Sequence, residues 1–249
     1  MSRLDPRLLL QGYAAGIFPM ADSRDASELF WVEPRSRAIL PLDKFHVSRS
    51  LRRVIRSGNF SVTMDRDFAA VIEACADREE TWINAEIERA MLALHASSNA
   101  HSIEVWGDGQ LVGGLYGVKL GRAFFGESMF SRKTDASKVA LAWLVARMKT
   151  GGYSLLDCQF MTSHLASLGA TTVSRKAYVA LLSGALGGGA AGSSAAGVVD
   201  VSASGALGGS SRSAAPDLRA LDRLLEATGA AGSSAAEGYF IAQLLGHTS

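Results

Sequence analysis

Cysteine is scarce in this sequence of 249 residues: Cys75 and Cys158 are the only two, and they form no CxxC pair. Two isolated thiols argue against a zinc site and a disulfide framework, and they fit a reducing compartment. The chain also lacks a signal-peptide pattern and any apolar run near the ~18 residues that a bilayer-spanning helix needs. We therefore expect a cytoplasmic protein with no metal site and no membrane partner.

Net charge is also small, at +1, so the overall balance indicates neither a basic nor an acidic partner. The distribution is more informative, because residues 35–56 contain seven Lys or Arg and one acidic residue, Asp43. Arg49, Arg52, Arg53 and Arg56 fall near one side of a helix predicted over residues 48–57. A row of this kind is either a solvated face or a phosphate-binding surface.

Side-chain variety is low after residue 182, where Gly, Ala and Ser dominate and the strings AAGSSAA and SGALGG each occur twice. Such a composition buries little apolar surface against its ordering entropy, which predicts a flexible tail over residues 183–249. Two exceptions stand out. Residues 216–227 predict a short helix, and the apolar residues 239–245 could dock on the body of the protein.

The rest of the chain predicts an α+β fold. Residues 102–106, 111–118 and 123–130 alternate with a period of two and are separated by turn signals, which predicts an antiparallel meander. A helix over about 135–148, a strand over 154–160 and a last helix over 176–182 follow. We expect a small N-terminal domain (1–65) and a second domain (66–182) with a mixed, largely antiparallel sheet covered by helices.

Two predicted strands carry carboxylates, at Glu127 and Asp157. Strand periodicity would put Glu127 and Met129 on one face, and Asp157 and Gln159 on one face of the other strand. A buried carboxylate is costly unless something pairs with it, so the two strands suggest a cleft for a cation or a proton transfer.

Ten short blocks along the chain are informative because of their order: GIFPM (16–20), FWVEP (30–34), HVSRS (46–50), TWI (81–83), HSIEVW (101–106), LVGGLYG (111–117), GESMFS (126–131), ASK (136–138), DCQ (157–159) and HLASLG (164–169). With these blocks in this order, residues 8–182 resemble the leucyl/phenylalanyl-tRNA–protein transferase family. The resemblance implies an acetyltransferase-like (GNAT) second domain. It also implies transfer of Leu or Phe, and less well Met, from aminoacyl-tRNA to proteins with N-terminal Arg or Lys, which marks them for degradation.

Aminolysis of an activated ester needs no cofactor, but the attacking amine must lose a proton. The resemblance implies that Asp157 takes this proton, with Gln159 as relay or orienter; the alternative for Asp157 is a structural salt bridge to Arg. Glu127 would hold the acceptor's cationic side chain or orient its α-ammonium. Cys158 is a candidate nucleophile by residue type, but its position in the strand fits a buried thiol better.

The remaining site candidates are substrate-binding and tRNA-binding residues. A Leu or Phe pocket is expected from Leu115, Met129, Leu141, Leu144 and Met148. The helical spacing of the last three also fits ordinary core. Trp31 and Trp82 could stack on the terminal adenine or the substrate ring. Since a tRNA substrate needs a basic surface, the resemblance favours Arg49, Arg52, Arg53 and Arg56 as phosphate ligands.

Three other functions compete with this hypothesis. An acetyl-CoA-dependent acetyltransferase would carry a glycine-rich loop before the helix that follows the meander, and residues 131–138 contain no glycine. A non-catalytic tRNA-binding protein would gain nothing from carboxylates in its cleft. A related leucyltransferase for acidic N-termini would be opposed by the same carboxylates. We expect a monomer.

Overall fold

Two β-sheets organise the chain in the computed structural model, which describes residues 4–187 and 214–246. The helices are α1 (Pro6–Ala15), α2 (Arg49–Arg56), α3 (Phe68–Ala76), α4 (Ala85–Ala96), α5 (Ala136–Thr150), α6 (Ser163–Ser167), α7 (Arg175–Ala185), α8 (Ala220–Ala227) and α9 (Ser234–Leu244). The strands are β1 (Phe18–Met20), β2 (Phe30–Val32), β3 (Ser36–Ile39), β4 (Ser61–Met64), β5 (Ala100–Gly107), β6 (Gln110–Leu120), β7 (Ala123–Ser131), β8 (Leu155–Gln159) and β9 (Thr171–Ser174).

The large sheet has seven strands in the order β4-β5-β6-β7-β8-β3-β9. Its pairs are antiparallel except β7 and β8, which are parallel and connected by α5. The predicted meander is β5-β6-β7, and its first turn is tight because Asp108 and Gly109 both adopt positive φ angles of 54° and 74°. The prediction of a mixed, largely antiparallel sheet with helices is confirmed.

Helices cover both faces of this sheet. On one face lies α5, whose sequence is apolar nearly all round and whose side chains are almost all buried. On the other face α1, α3 and α4 pack together with α7. Helix α5 is buried on all sides because α2, α8 and α9 cover the surface that faces away from the sheet.

The small N-terminal unit consists of α1 and the two-stranded sheet β1-β2. The strands β3 and β4 belong to the large sheet instead, although sequence analysis assigned residues 36–65 to the small domain. β3 lies between β8 and β9, so its two neighbours come from the far end of the chain. Strands as short as β1, β4 and β9 contain too few alternations to be predicted, and all three were missed.

The C-terminal segment corrects the prediction of a flexible tail. Within residues 214–246, α8 and α9 form a hairpin that packs on α5 and α2 and buries Leu221, Leu225, Ile241 and Leu245. The predicted helix and the docking of residues 239–245 are both observed. The composition argument failed to predict this packing. A few leucines at helical spacing are enough to hold the segment in place, because α5 offers an apolar surface for them to pack against. The remaining tail, residues 188–213 and 247–249, lies outside the described residues.

Two contacts fix the hairpin. Gly238 crosses α2 so closely that a Cβ there would lie 1.9 Å from the Ile55 carbonyl oxygen. Arg147 of α5, itself buried, donates to the Leu218 carbonyl oxygen at 3.0 Å and pairs with Asp222 at 2.6 Å. Among the described helices, none has the length and hydropathy needed to cross a membrane.

Burial of the hairpin predicts a stability effect. Leu221→Ala should lower the free energy of unfolding by about 2–5 kcal/mol, because the side chain is fully buried. Leu181→Ala, at an exposed leucine of α7, is the matched control and should change it by less than about 0.5 kcal/mol. Urea denaturation measures both, and equal midpoints for the two variants would contradict the packed hairpin.

Candidate active site

A cavity of about 390 Å³ opens where β7 and β8 separate. The two strands pair from Ala123 and Leu155 to Phe125 and Asp157 and no further, although β7 continues to Ser131. Beyond that point β7 follows β6, and the gap is lined by residues of both strands, by α5 and by the α1-β1 region. The fold therefore creates a space at the centre of its sheet.

A β-bulge in β7 aims Glu127 into this region. Tyr116 and Gly117 of β6 pair with Ser128 and Gly126 of β7, so Glu127 is the extra residue without a partner. A bulge of this kind puts two successive side chains on the same side of the sheet and redirects them.

The bulge overturns the expectation that Glu127 and Met129 share a face. Met129 packs against the core on the α5 side. Glu127 instead interacts with Tyr13 and Tyr116 of the opposite core. Strict strand periodicity failed because it has no means of locating the extra residue.

Gln159, at the end of β8, has a positive φ of 56°, a conformation that costs energy for a residue with a side chain. Its backbone N–H donates to Oδ1 of Asp157 at 2.8 Å, which holds the turn. Its Nε2 donates to Oε1 of Glu127 at 2.8 Å. Both Gln159 and Glu127 line the cavity, so the structure brings these two predicted residues together.

Asp157 is fully buried in a network with Arg37 and does not line the cavity. Arg37 Nε lies 2.9 Å from Oδ1 and Nη2 lies 2.6 Å from Oδ2, while the Tyr178 hydroxyl donates to Oδ2 at 2.7 Å. Arg37 also donates to the Gly16 carbonyl oxygen at 3.1 Å and is stacked against Phe18 and Tyr178. Asp157 thus forms the buried Arg salt bridge that sequence analysis held as the alternative to proton transfer.

Glu127 has a strongly perturbed acidity. Burial raises the pKa of Glu127 to about 8; the nearby Tyr13 hydroxyl lowers this pKa, the Asp157 charge raises it, and Arg37 and Gln159 lower it. Its Oε2 has no hydrogen-bond partner among the described residues. A pKa near 8 favours the protonated form of the Glu127 carboxyl at neutral pH, and a cation beside it would favour the ionised form.

Four of the five predicted pocket residues form the apolar wall opposite Glu127: Leu115, Met129, Leu141 and Leu144. Trp82 also lines the cavity. Met148 of α5 does not line the cavity, since its side chain is fully buried in the core. Trp31 does not line it either.

Trp31 is 41% exposed on β2 and covers Gly12 of α1, where a Cβ would lie 2.3 Å from its ring.

Cys158 is at the cavity wall, but burial raises the pKa of its thiol to about 12. A thiol this weakly acidic is a poor nucleophile at neutral pH. The side chain is only partly buried, so the expectation of a buried thiol is not met in full.

Sequence reasoning missed several cavity residues. Arg78 lies in the loop after α3, where Nε donates to the Cys75 carbonyl oxygen at 2.8 Å and Nη2 to the Ser128 hydroxyl at 2.7 Å. Both Arg78 and Ser128 line the cavity. Arg78 sits in an acidic sequence context beside Glu79 and Glu80, which gave no indication that its side chain turns toward β7.

The four arginines predicted to bind tRNA are all exposed on α2. Within residues 4–187 and 214–246, none of Arg49, Arg52, Arg53 and Arg56 forms an ion pair with a carboxylate. They do not line the active-site cavity.

The Arg37 ion pair predicts a large stability effect. Arg37→Met should cost about 3–5 kcal/mol, because it leaves the Asp157 carboxylate buried and unpaired. The matched control is Arg175→Met, which removes an exposed ion pair with Glu33 and should cost about 0–1 kcal/mol. Urea midpoints compare the two. A double variant, Arg37→Met with Asp157→Leu, should recover much of the loss; failure of the single variant to differ from the control would refute the structural role.

Glu127 predicts a pH dependence of stability. Its folded pKa of about 8 lies above its ordinary value of 4.5, so its protonated form stabilises the fold at acidic pH. That contribution disappears as pH rises between these two values, because the unfolded state releases the proton. Glu127→Gln should therefore gain stability relative to the unchanged protein between pH 5 and 8.5 in thermal melts. A constant difference across that range would rule out the raised pKa.

Comparisons with known proteins identify one family. A family model described as leucyl/phenylalanyl-tRNA protein transferase matches residues 39–183, and one for the N-terminal domain of that transferase matches residues 2–35. A leucyl/phenylalanyl-tRNA–protein transferase of Rhizorhabdus wittichii is 56% identical over 260 residues, covering 100% of both chains. One of Zymomonas mobilis is 61% identical over 187 residues, covering 74% of this chain and 70% of its own.

Among solved structures, L-PGS from Bacillus licheniformis aligns with a TM-score of 0.37 and 14% identity, over 66% of this chain and 56% of that one. A similarity this low supports no conclusion about function. The family matches and the full-length relative do: the chain belongs to the leucyl/phenylalanyl-tRNA–protein transferases, aminoacyltransferases that use aminoacyl-tRNA to modify proteins.

Proposed function

We propose that this transferase moves Leu or Phe, and less well Met, from aminoacyl-tRNA to the α-amine of proteins whose first residue is Arg or Lys. The product would be marked for degradation, and the enzyme would act as a cytoplasmic monomer without a cofactor. One observation carries the proposal: the cavity has a carboxyl group, Glu127, facing an apolar wall. This arrangement fits a cationic acceptor next to an apolar aminoacyl donor.

The donor side is the apolar wall. Leu115, Leu141 and Leu144 present branched aliphatic groups, and Met129 adds a flexible thioether. A thioether adapts to side chains of different shape, which suits a pocket that takes Leu, Phe and Met. Apolar shape alone discriminates by only ~1–3 kcal/mol per methylene, so we expect preference rather than exclusion among these three.

The acceptor side is Glu127 with Gln159. The pKa of Glu127, about 8, is close to the ~7.7–8.0 of an α-amine, so a proton can pass between them at little cost. We assign proton acceptance to Glu127 and orientation of the amine to Gln159. The neutral amine nitrogen then attacks the ester carbonyl carbon, and the bond from that carbon to the ribose oxygen breaks. The proton that the nitrogen loses passes to the ionised Glu127 carboxylate and from there to the departing ribose oxygen.

Asp157 has a different role in this scheme from the one that the family resemblance implies. Its oxygens are occupied by Arg37, Tyr178 and the Gln159 backbone. We propose that it is a positioning residue, which holds Gln159 in its positive-φ conformation. Loss of Asp157 would then reduce turnover indirectly, through the geometry of Gln159.

The mouth of the cavity offers groups for the end of the tRNA. Trp82 is half-buried there and gives an aromatic face on which the terminal adenine could stack. Arg78 is a guanidinium fixed to the rim by two hydrogen bonds, placed for a phosphate or the ester carbonyl. The exposed arginines of α2 extend the basic surface for phosphates farther along the acceptor stem.

The geometry supports neither competing enzyme class. An acetyl-CoA pyrophosphate would need free N–H groups at the start of α5, but those of Ala136 and Ser137 already donate to the Lys133 carbonyl oxygen and the Ser131 hydroxyl. An acidic acceptor would bring a second carboxylate to Glu127. A like charge there would hold Glu127 in its protonated form, in which it cannot accept a proton.

The experiment is a transfer assay with Leu-tRNA and peptides beginning with Arg, Lys, Ala or Asp. We expect modification of the Arg and Lys peptides only. Glu127→Gln should lower turnover by roughly 10²-fold or more, as expected for loss of a general base, and narrow the gap between Arg-start and Ala-start peptides. Glu73→Gln, at an exposed position of α3, is the matched control and should behave as the unchanged enzyme. Preference for the Asp peptide, or transfer from acetyl-CoA, would refute the proposal.

A further inference from the structure

A second groove lies between α2 and α9, with a volume of about 190 Å³. Its lining is polar and basic: Arg52, Arg56, Tyr239, Ala242, Gln243 and Gly246. None of these residues lines the active-site cavity. The α9 side lies beyond residue 183, where the match to the family model ends.

The α2 side of the groove supplies two cations. Arg52 and Arg56 are four positions apart, so they project from the same face of the helix. Both are exposed, and neither forms an ion pair in the described parts of the chain. Two neighbouring guanidinium groups without carboxylate partners are a site for an anion with several oxygen acceptors.

The α9 side supplies an aromatic ring and an amide. Tyr239 is 48% exposed, and the Arg56 guanidinium carbon lies 4.6 Å from the centroid of its ring. Gln243 follows one turn later and is also exposed. The one acidic residue of α9, Glu237, accepts a hydrogen bond from the Gly232 backbone at 2.9 Å, which directs its carboxylate to the α8-α9 turn.

The groove is rigidly built. Gly238 lets the α9 backbone approach the α2 backbone, and Ile241 and Leu245 anchor the opposite side of α9 in the core. This spacing fixes the row formed by Tyr239 and Gln243 beside the row of Arg52 and Arg56. Pre-positioned side chains lose less entropy on binding than mobile ones.

We propose that the α2-α9 groove binds the sugar-phosphate backbone of the tRNA, so that the C-terminal hairpin is part of the RNA-binding surface. This inference rests on the proposed function. The two arginines contact phosphate oxygens, the exposed part of Tyr239 stacks on a base or ribose, and Gln243 hydrogen-bonds a ribose hydroxyl. An RNA backbone fits better than an acidic peptide, because it offers phosphates and stacking faces together.

The test uses the full-length protein and two groove variants, Gln243→Glu and Tyr239→Ala. Ala227→Glu is the matched control, since it adds the same charge at an exposed position of α8 outside the groove. Binding of uncharged tRNA is measured against salt concentration. We expect Gln243→Glu to weaken binding about 10-fold and to flatten the salt dependence by roughly one phosphate contact. We expect Tyr239→Ala to weaken it about 5-fold or more, as for loss of a stacked base, and the control to leave it unchanged.

Transfer kinetics supply the second measurement. The donors are Leu-tRNA and the phenylalanyl ester of adenosine, which has the reacting bond but no phosphate. The groove variants should raise KM for Leu-tRNA and leave kcat/KM for the adenosine ester unchanged. Melting curves establish that the variants are folded.

Two results would overturn the inference. One is tRNA affinity and salt slope that stay the same in both groove variants. The other is an equal loss with both donors, which would place the effect at the active site or in the fold. If the unchanged enzyme transfers from neither donor, the proposed function fails, while the tRNA-binding measurement still decides the groove.

Discussion

The ion pair between Arg37 and Asp157 is the interaction on which the rest of the structure depends. Arg37 lies on β3. Its guanidinium makes cation–π contacts with the rings of Phe18 and Tyr178 and donates a hydrogen bond to the backbone at the end of α1. One guanidinium thus joins the small N-terminal unit, the centre of the large sheet and α7. This ion pair stabilises the fold only while all of its partners are present, because a buried charge without a partner is strongly destabilising.

The same pair sets the chemistry beside it. The negative charge of Asp157 adds to the burial of Glu127 and raises the pKa of that neighbouring carboxyl. The two carboxyl groups on adjacent strands therefore have different environments. Asp157 is held in an ion pair with Arg37, whereas Glu127 lines the cavity and forms no ion pair among the described residues.

Sequence alone predicted the meander, α5, the mixed sheet and most of the apolar cavity wall, because these depend on periodicity and on ordered motifs. It failed where one residue departs from regular geometry. The bulge at Glu127 and the positive φ of Gln159 decide which side chains meet, and neither has a signature in a local pattern. It also failed for Arg37, whose partner is 120 positions away. For the C-terminal hairpin it predicted the first helix and the docking of residues 239–245, but it treated the segment as a whole as a flexible tail.

The position of β3 has a consequence for how the protein is made. β3 spans Ser36–Ile39, yet its neighbours in the sheet are β8 and β9, which end at Gln159 and Ser174. During synthesis from the N-terminus this strand leaves the ribosome long before either partner exists, and Arg37 leaves with it. At about 5–20 residues per second, the strand waits roughly 6–24 seconds with both edges unpaired. The unpaired strand in the first quarter of the sequence is therefore open to misassociation during synthesis. The sheet is completed late, after the β5-β6-β7 meander has been made.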